Sequence, residues 1–176
     1  MTTSGGLYPL LQGLNKTDYN INNLDDEIRV DTLCKGLLRH LYQELTQRSK
    51  VDPAQDGEFC HGADYFLREF IIADRHENLF ASKAERIRQF AGHWYIIRTT
   101  ETNLKELQGI LNGTAEFYQF LARQGLVTGP AADKITSQCQ DLDYYQERIN
   151  DFWAIEGDGY NRWRQACPLE PVAEQP

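Results

Sequence analysis

An all-α fold, a single domain of about five helices packed as an orthogonal or bundle-like array, is predicted by three features of this 176-residue sequence. Apolar residues recur at three- and four-residue steps along successive segments, which lines one face of a helix. Capping residues and helix stops punctuate those segments. No run of alternating β-branched residues offers a strand. Hydrophobic residues make up 41% of the chain and charged residues 25%, a globular composition well away from that of disordered chains. The predicted layout is an irregular arm over 1–22, a helical domain over 23–157 and a tail over 158–176.

The arm interleaves Leu7, Tyr8, Leu10, Leu11 and Leu14 with glycines and polar residues, so it docks through apolar side chains rather than winding as a helix. Asn23 is a favoured N-cap, and Asp25, Asp26 and Glu27 then set negative charge against the positive end of a helix dipole. Ile28, Cys34, Leu37, Leu38, Leu41 and Leu45 form its stripe up to about Arg48. The stretch 51–57, with Asp52-Pro53 and Asp56-Gly57, reads as a turn. A second helix follows from about Glu58 to Arg75, with Ala63, Phe66, Leu67, Phe70 and Ile71 on one face.

Ser82 followed by Glu85 has the spacing of a capping box. It opens a third helix carrying Ile87, Phe90, Ala91, Trp94 and Ile97. Asn103 and Glu106 repeat that spacing before the most regular stripe in the chain, Leu104 through Leu121. Gly125 supplies a left-handed stop, with Leu126 folding back on the helix end. Pro130 suits a first helical position and opens a fifth helix. Its stripe runs through Ile135, Cys139, Leu142, Tyr145, Ile149 and Phe152 with Trp153, towards Gly157. The tail should wrap locally and then fray.

The formal charge of -8 opposes non-specific attraction to nucleic acid or anionic lipid. That acidity sits at the ends, because Arg68 to Arg123 holds eight basic residues against seven acidic ones. No apolar run approaches the roughly 18–20 residues that cross a bilayer, and the first residues lack a secretory pattern. Cys34, Cys60, Cys139 and Cys167 are widely spaced with no CxxC pair. Free thiols in a cytoplasmic protein, with no membrane contact, are the expectation.

No metal or cofactor is expected, since neither Glu-x-x-His repeats nor paired cysteines occur. Cys60 and His61 are the sole local thiol–imidazole pairing, and neighbours on a helix point about 100° apart. Cys34 and Cys139 lie on apolar stripes and read as small hydrophobes. Asp143, Glu147 and Asp151 share a helical face, read as solvated and partly balanced by Arg148; the functional alternative is a cation site or a docking face for a basic partner. Phosphate loops, Ser-His-Asp sets and nucleotide fingerprints are absent. The densest candidate site is Phe90–Arg98. There Trp94 continues the core stripe, while His93, Tyr95 and Arg98 leave it and offer a stacking and phosphate-binding edge. His61 joins them as a candidate ligand- or partner-binding residue, and no catalytic residue is assigned.

Ala63-Asp-Tyr-Phe-Leu-Arg-Glu-Phe70, Glu85-Arg-Ile-Arg-Gln-Phe90, Asn103-Leu-Lys-Glu-Leu107 and Phe117-Tyr-Gln-Phe-Leu-Ala-Arg-Gln-Gly-Leu-Val127 are the pertinent segments. Together, over residues 63–137, they resemble the small helical core-binding domain that precedes the catalytic domain of tyrosine recombinases and phage integrases. The resemblance implies a SAM-like core that clamps duplex DNA through its phosphates, with Lys83, Arg86, Arg88, Arg98 and Lys105 as the available cations. No recombinase catalytic domain with its tyrosine nucleophile lies within the sequence, so strand transfer is not expected.

Three functional readings follow. The first is a non-enzymatic helical module acting through contacts with another protein. The second is a DNA-binding module related to the core-binding domain. The third is a small-molecule or metal-dependent helical enzyme with a pocket near His61, His93, Trp94 and Arg98. The sequence does not specify an oligomeric state.

Overall fold

The structure, a computed structural model, describes residues 11–48 and 52–170. Among the described residues the fold is all-α, with helices joined by short turns and no strand. Of the arm, residues 1–10 lie outside the described residues. The rest docks as expected through apolar side chains, Leu11 and Tyr19 being buried. It also contains a short 3-10 turn, Lys16–Tyr19, with Asn15 accepting from the Thr17 amide.

Helix α1, Leu24–Arg48, starts where the Asn23 signal placed it: Asn23 Oδ1 accepts from the Asp26 amide at 2.9 Å. Its buried stripe is Val30, Cys34, Leu37, Leu38, Leu41 and Leu45. Ile28, expected within that stripe, is 59% exposed. It precedes Val30 by two residues, which puts it about 200° round the helix.

Helix α2, Pro53–Asp64, begins inside the stretch read as a turn. Asp52 accepts from the Ala54 amide at 3.0 Å and Pro53 fills the first turn, so Asp-Pro here starts a helix. Without interruption it becomes a π-helix over Tyr65–Ile72. The Ala73 amide donates to the Arg68 carbonyl at 3.0 Å and the Arg75 amide to that of Phe70 at 2.9 Å, each reaching back five residues. The expected stripe of Ala63, Phe66, Leu67, Phe70 and Ile71 is fully buried.

After a 3-10 turn, Leu79–Ala81, a second composite rod is built from α3 (Ala84–Gln89), a π segment (Phe90–Trp94) and α4 (Tyr95–Arg98). The expected Ser82–Glu85 capping box does not form. Lys83 takes the cap position with no side-chain hydrogen bond, and the Ser82 hydroxyl turns inward, beside Tyr118. Ile97, expected in the stripe, is 37% exposed, while Ile96 is buried. The π turn explains this. The Tyr95 amide bonds to the Phe90 carbonyl, five residues back, so Tyr95 takes the place beneath Phe90 that an α-helix would give to Trp94.

Helix α5, Leu104–Arg123, carries the cap and the stop read from the sequence. Asn103 Oδ1 accepts from the Glu106 amide at 2.7 Å. Beyond its end Gly125 has φ +71°, and the Leu126 amide returns to the Leu121 carbonyl at 2.8 Å, the paired bonding of a Schellman stop. The expected fifth helix is two: α6, Gly129–Cys139, and α7, Leu142–Trp153. The chain leaves helical geometry at Asp141 (ψ 54°). Trp153, expected in the core, is 60% exposed and donates to Thr102 Oγ1 at 3.0 Å. Part of the expected tail is helix α8, Gly159–Ala166, which buries Trp163. Residues 171–176 lie outside the described residues.

Glycines bring α2 and α5 into backbone contact. A Cβ on Gly113 would stand 2.8 Å from the Ala63 nitrogen, and one on Gly62 2.9 Å from the Ile110 Cα. The two π segments meet through aromatic rings, with Phe66 edge-on to Phe90 at 5.1 Å and Phe70 tilted on Trp94 at 5.3 Å. Such pairs add roughly 0.5–1.5 kcal/mol beyond area burial. Buried Glu44 ties α1 to the end of α5, accepting from Arg123 Nε at 2.7 Å and Gln124 Nε2 at 2.9 Å.

Candidate functional site

The π segment Phe90–Trp94 concentrates the unusual chemistry of the fold, and it does so in the interior. A π turn leaves the backbone out of α register, and the Gly92 carbonyl is taken by a side chain from α7: Arg148 Nε donates to it at 2.8 Å. Arg148 is only 5% exposed, and its guanidinium lies 4.0 Å from the centre of the Trp163 ring. The expectation that Arg148 balances the surface ridge of Asp143, Glu147 and Asp151 is therefore corrected: the three carboxylates are exposed and the arginine is buried.

His93 and Tyr95 do not leave the core as expected, being 4% and 1% exposed. The widened turn draws Tyr95 inward, and α7 and α8 cover the opposite side, where His93 lies edge-on to Trp163 at 5.1 Å. His93 Nδ1 is 2.5 Å from the Cys167 carbonyl oxygen. A carbonyl only accepts, so Nδ1 carries the proton. Burial holds the His93 imidazole below its usual pKa; the Cys167 carbonyl opposes this, and the positive charges of Arg148 and Arg164 add to it. Tyr95 donates to Glu106 Oε2 at 3.2 Å, and burial, then the Glu106 charge, raises its phenol pKa. Neither side chain is placed for a ligand from solvent.

Arg98 is exposed. It pairs with Asp74 at 3.0 Å and lies 5.1 Å from the centre of the Trp94 ring. Of the other cations assigned to a DNA backbone, Arg86 pairs with Glu77 and donates to the Leu169 carbonyl at 3.2 Å. Arg88 stacks on Tyr144 at 3.6 Å and lies 3.5 Å from Asp141. Lys83 and Lys105 are exposed, with no ion pair among the described residues.

His61 occupies a different place. It is exposed on the wall of an open groove of about 500 Å³ between α1 and α2. Leu38, Tyr42 and Cys60 give that groove an apolar floor, and Lys35 and Arg39 a cationic rim, with His61 beside them. His93, Trp94 and Arg98 are not among its walls, so the four residues of the proposed enzyme pocket do not converge. Lys35 pairs with Asp31 at 2.9 Å and Asp64 with Arg68 at 3.0 Å. Arg39 has no ion pair among the described residues. The Cys60 thiol is pushed up to about 11 by burial and then by the Asp56 charge, so it is not the thiolate a Cys-His nucleophile requires. Cys34 and Cys139 are buried hydrophobes, as read. Among the described residues no group of three or more His, Cys, Asp or Glu side chains could hold a metal ion.

Sequence reasoning missed Arg148, Trp163, Tyr144 and Cys167, which meet around the π segment, and it missed Lys35, Arg39 and Tyr42 of the groove. Only Tyr42 carried a local signal, as an aromatic off the α1 stripe. The described helices include none long and apolar enough to cross a membrane. In comparisons with protein-family models, curated proteins and solved structures, nothing matched this chain.

Proposed function

We propose that the chain is a non-enzymatic helical module that docks a segment of a partner protein in the α1–α2 groove. The segment presents an apolar anchor flanked by acidic residues. One observation carries this reading: the groove joins an apolar floor, with Tyr42 40% exposed, to Arg39, a cation with no carboxylate partner among the described residues. An anchor ring or aliphatic chain would cover Leu38 and Tyr42, and acidic neighbours would meet Arg39 and His61. Aromatic and arginine side chains are the types that dominate such contacts. A catalytic role finds less support, since the thiol and imidazole candidates are protonated, buried or apart.

Duplex DNA is the weaker alternative. Arg86, Arg88 and Arg98 already face Glu77, Asp141 and Asp74, so a phosphate would have to displace a carboxylate at three of five contacts.

A displayed-peptide selection on the intact chain, counter-selected on an Arg39→Glu/Tyr42→Ala variant, tests the proposal. Acidic peptides with one apolar anchor, weakened at least about tenfold by either substitution, are expected. Selected peptides indifferent to both changes would overturn it, as would a chain that retains short duplex DNA at low salt through Lys83 and Lys105.

A further inference from the structure

Away from that groove, a second concavity of about 240 Å³ lies between the Lys16–Tyr19 turn, the Leu79–Ala81 turn and the connection from α5 to α6. Phe80, Leu126, Val127 and Ile135 make most of its wall apolar. It is half open to solvent, and specific bonds hold its walls in place. Tyr118 donates to the Leu79 carbonyl at 2.9 Å, fixing α5 to the second turn. Asn78 Nδ2 donates to the Lys16 carbonyl and to Asn20 Oδ1, both at 2.8 Å, fixing the first turn to the second. Tyr19 packs edge-on against Phe80 at 4.8 Å. Thr128 caps α6 by accepting from the Ala131 amide at 3.3 Å, and Gly125 fixes the turn before it. The walls are stapled to one another and do not close on the space.

Polar groups stand at one end of this concavity. The Ser82 hydroxyl is buried and turned towards the Tyr118 oxygen, whose own proton goes to the Leu79 carbonyl. The Lys16 ammonium stands at the rim, 5.9 Å from the centre of the Phe80 ring, with no carboxylate partner among the described residues. One cation at the rim of an apolar chamber matches one anionic group on an apolar body. The volume holds roughly eight groups the size of a water molecule, below the ~300–1,000 Å³ of drug-sized ligand sites. With a net charge of -8 on the chain, a multiply charged anion is disfavoured.

We infer that this chamber is a binding site for a small monocarboxylate with a short aliphatic or monocyclic aromatic tail. The carboxylate pairs with Lys16, and the tail lies against Phe80, Leu126 and Ile135.

Titrations of the full chain with hexanoate and benzoate, read by amide NMR shifts, test the site, with hexanol and succinate as comparators. Saturable binding of both monocarboxylates is expected, about tenfold tighter than hexanol, with shifts centred on Ser82, Val127 and Ile135 and no saturation by succinate. Lys16→Met, an exposed change that leaves the fold intact, should bring hexanoate level with hexanol. Ala132→Leu should fill the chamber and abolish binding of both. The inference is overturned if neither acid saturates by about 10 mM, if acid and alcohol bind equally to the unaltered chain, or if Lys16→Met leaves hexanoate affinity unchanged. Should Ala132→Leu fail to fold, the Lys16→Met comparison alone decides.

Discussion

Gly62 of α2 lies against the Gly109 carbonyl of α5 so closely that a Cβ at position 62 would stand 2.6 Å from that oxygen. Backbone atoms on both sides leave no side chain that could swing away. Gly62→Ala and Gly113→Ala should each destabilise the fold by about 1–3 kcal/mol, the cost of overpacking, despite the better helix propensity of alanine. Gly36, inside α1 with nothing within 4 Å of its Cβ direction, is the control. Gly36→Ala should raise stability by up to ~1 kcal/mol. Denaturant midpoints at unchanged slope read all three.

His93 makes stability depend on pH in a stated direction. Burial disfavours its protonated form in the folded chain, so below the ordinary histidine value of about 6.5 the unfolded chain takes up a proton that the folded one resists. The contribution is complete above that value and is lost as pH falls through the lowered folded-state value. Unfolding midpoints should drop between pH 7.5 and 5.5 by more in the unaltered chain than in His93→Asn, whose amide can still donate to the Cys167 carbonyl. Equal drops would remove His93 from the account.

Arg148→Met should cost about 1–3 kcal/mol, because the buried Gly92 carbonyl loses its donor. Arg148→Lys should not restore it, since an ammonium cannot reproduce the flat guanidinium over Trp163 while donating sideways. Near-ultraviolet circular dichroism of Trp163 should change in both variants. Wild-type stability in Arg148→Met would show that Gly92 needs no partner.

Thiol reactivity ranks the cysteines. Cys60, half-buried on the groove wall, should be alkylated first in the native chain, while Cys34 and Cys139 should react only on unfolding. Burial lifts the Cys139 thiol to about 12, which suppresses the reactive thiolate. Peptide mass mapping after timed alkylation follows each site, and Cys60→Ser should remove the fast phase. A groove occupied by a docked peptide should slow Cys60 alone.

Signals confined to one turn of chain were legible. Asn23, Asn103 and Gly125 act on amides or carbonyls a few residues away, so their spacing suffices to place two helix starts and one stop. Ser82 and Glu85 show the same local spacing but form no box, because Ser82 is drawn towards Tyr118, thirty-six positions later in the sequence. Tyr95 and Ile97 were assigned to the wrong faces for another reason: a wheel with 3.6 residues per turn cannot represent the π turn. Arg148 was read as surface because its neighbours in sequence are carboxylates. Its burial depends on Trp163 and Gly92, contacts that exist only after the chain has folded. The groove was illegible likewise, as half of it comes from α1 and half from α2, which are separated by a turn.

The π segments also change which kind of mutation is informative. A residue removed from an ordinary helix rotates everything beyond it by about 100° and generally ruins the packing. Within Phe90–Trp94 the chain already carries one residue more than an α turn requires, so a single deletion there offers an alternative winding with ordinary hydrogen bonds. That winding would leave the rod beyond it on its present faces, with Tyr95 still beneath Phe90 and Ile97 still turned outward. The helix is thus a spacer whose length in residues and length in turns are decoupled, and insertions and deletions, more than substitutions, are where this chain has room to vary.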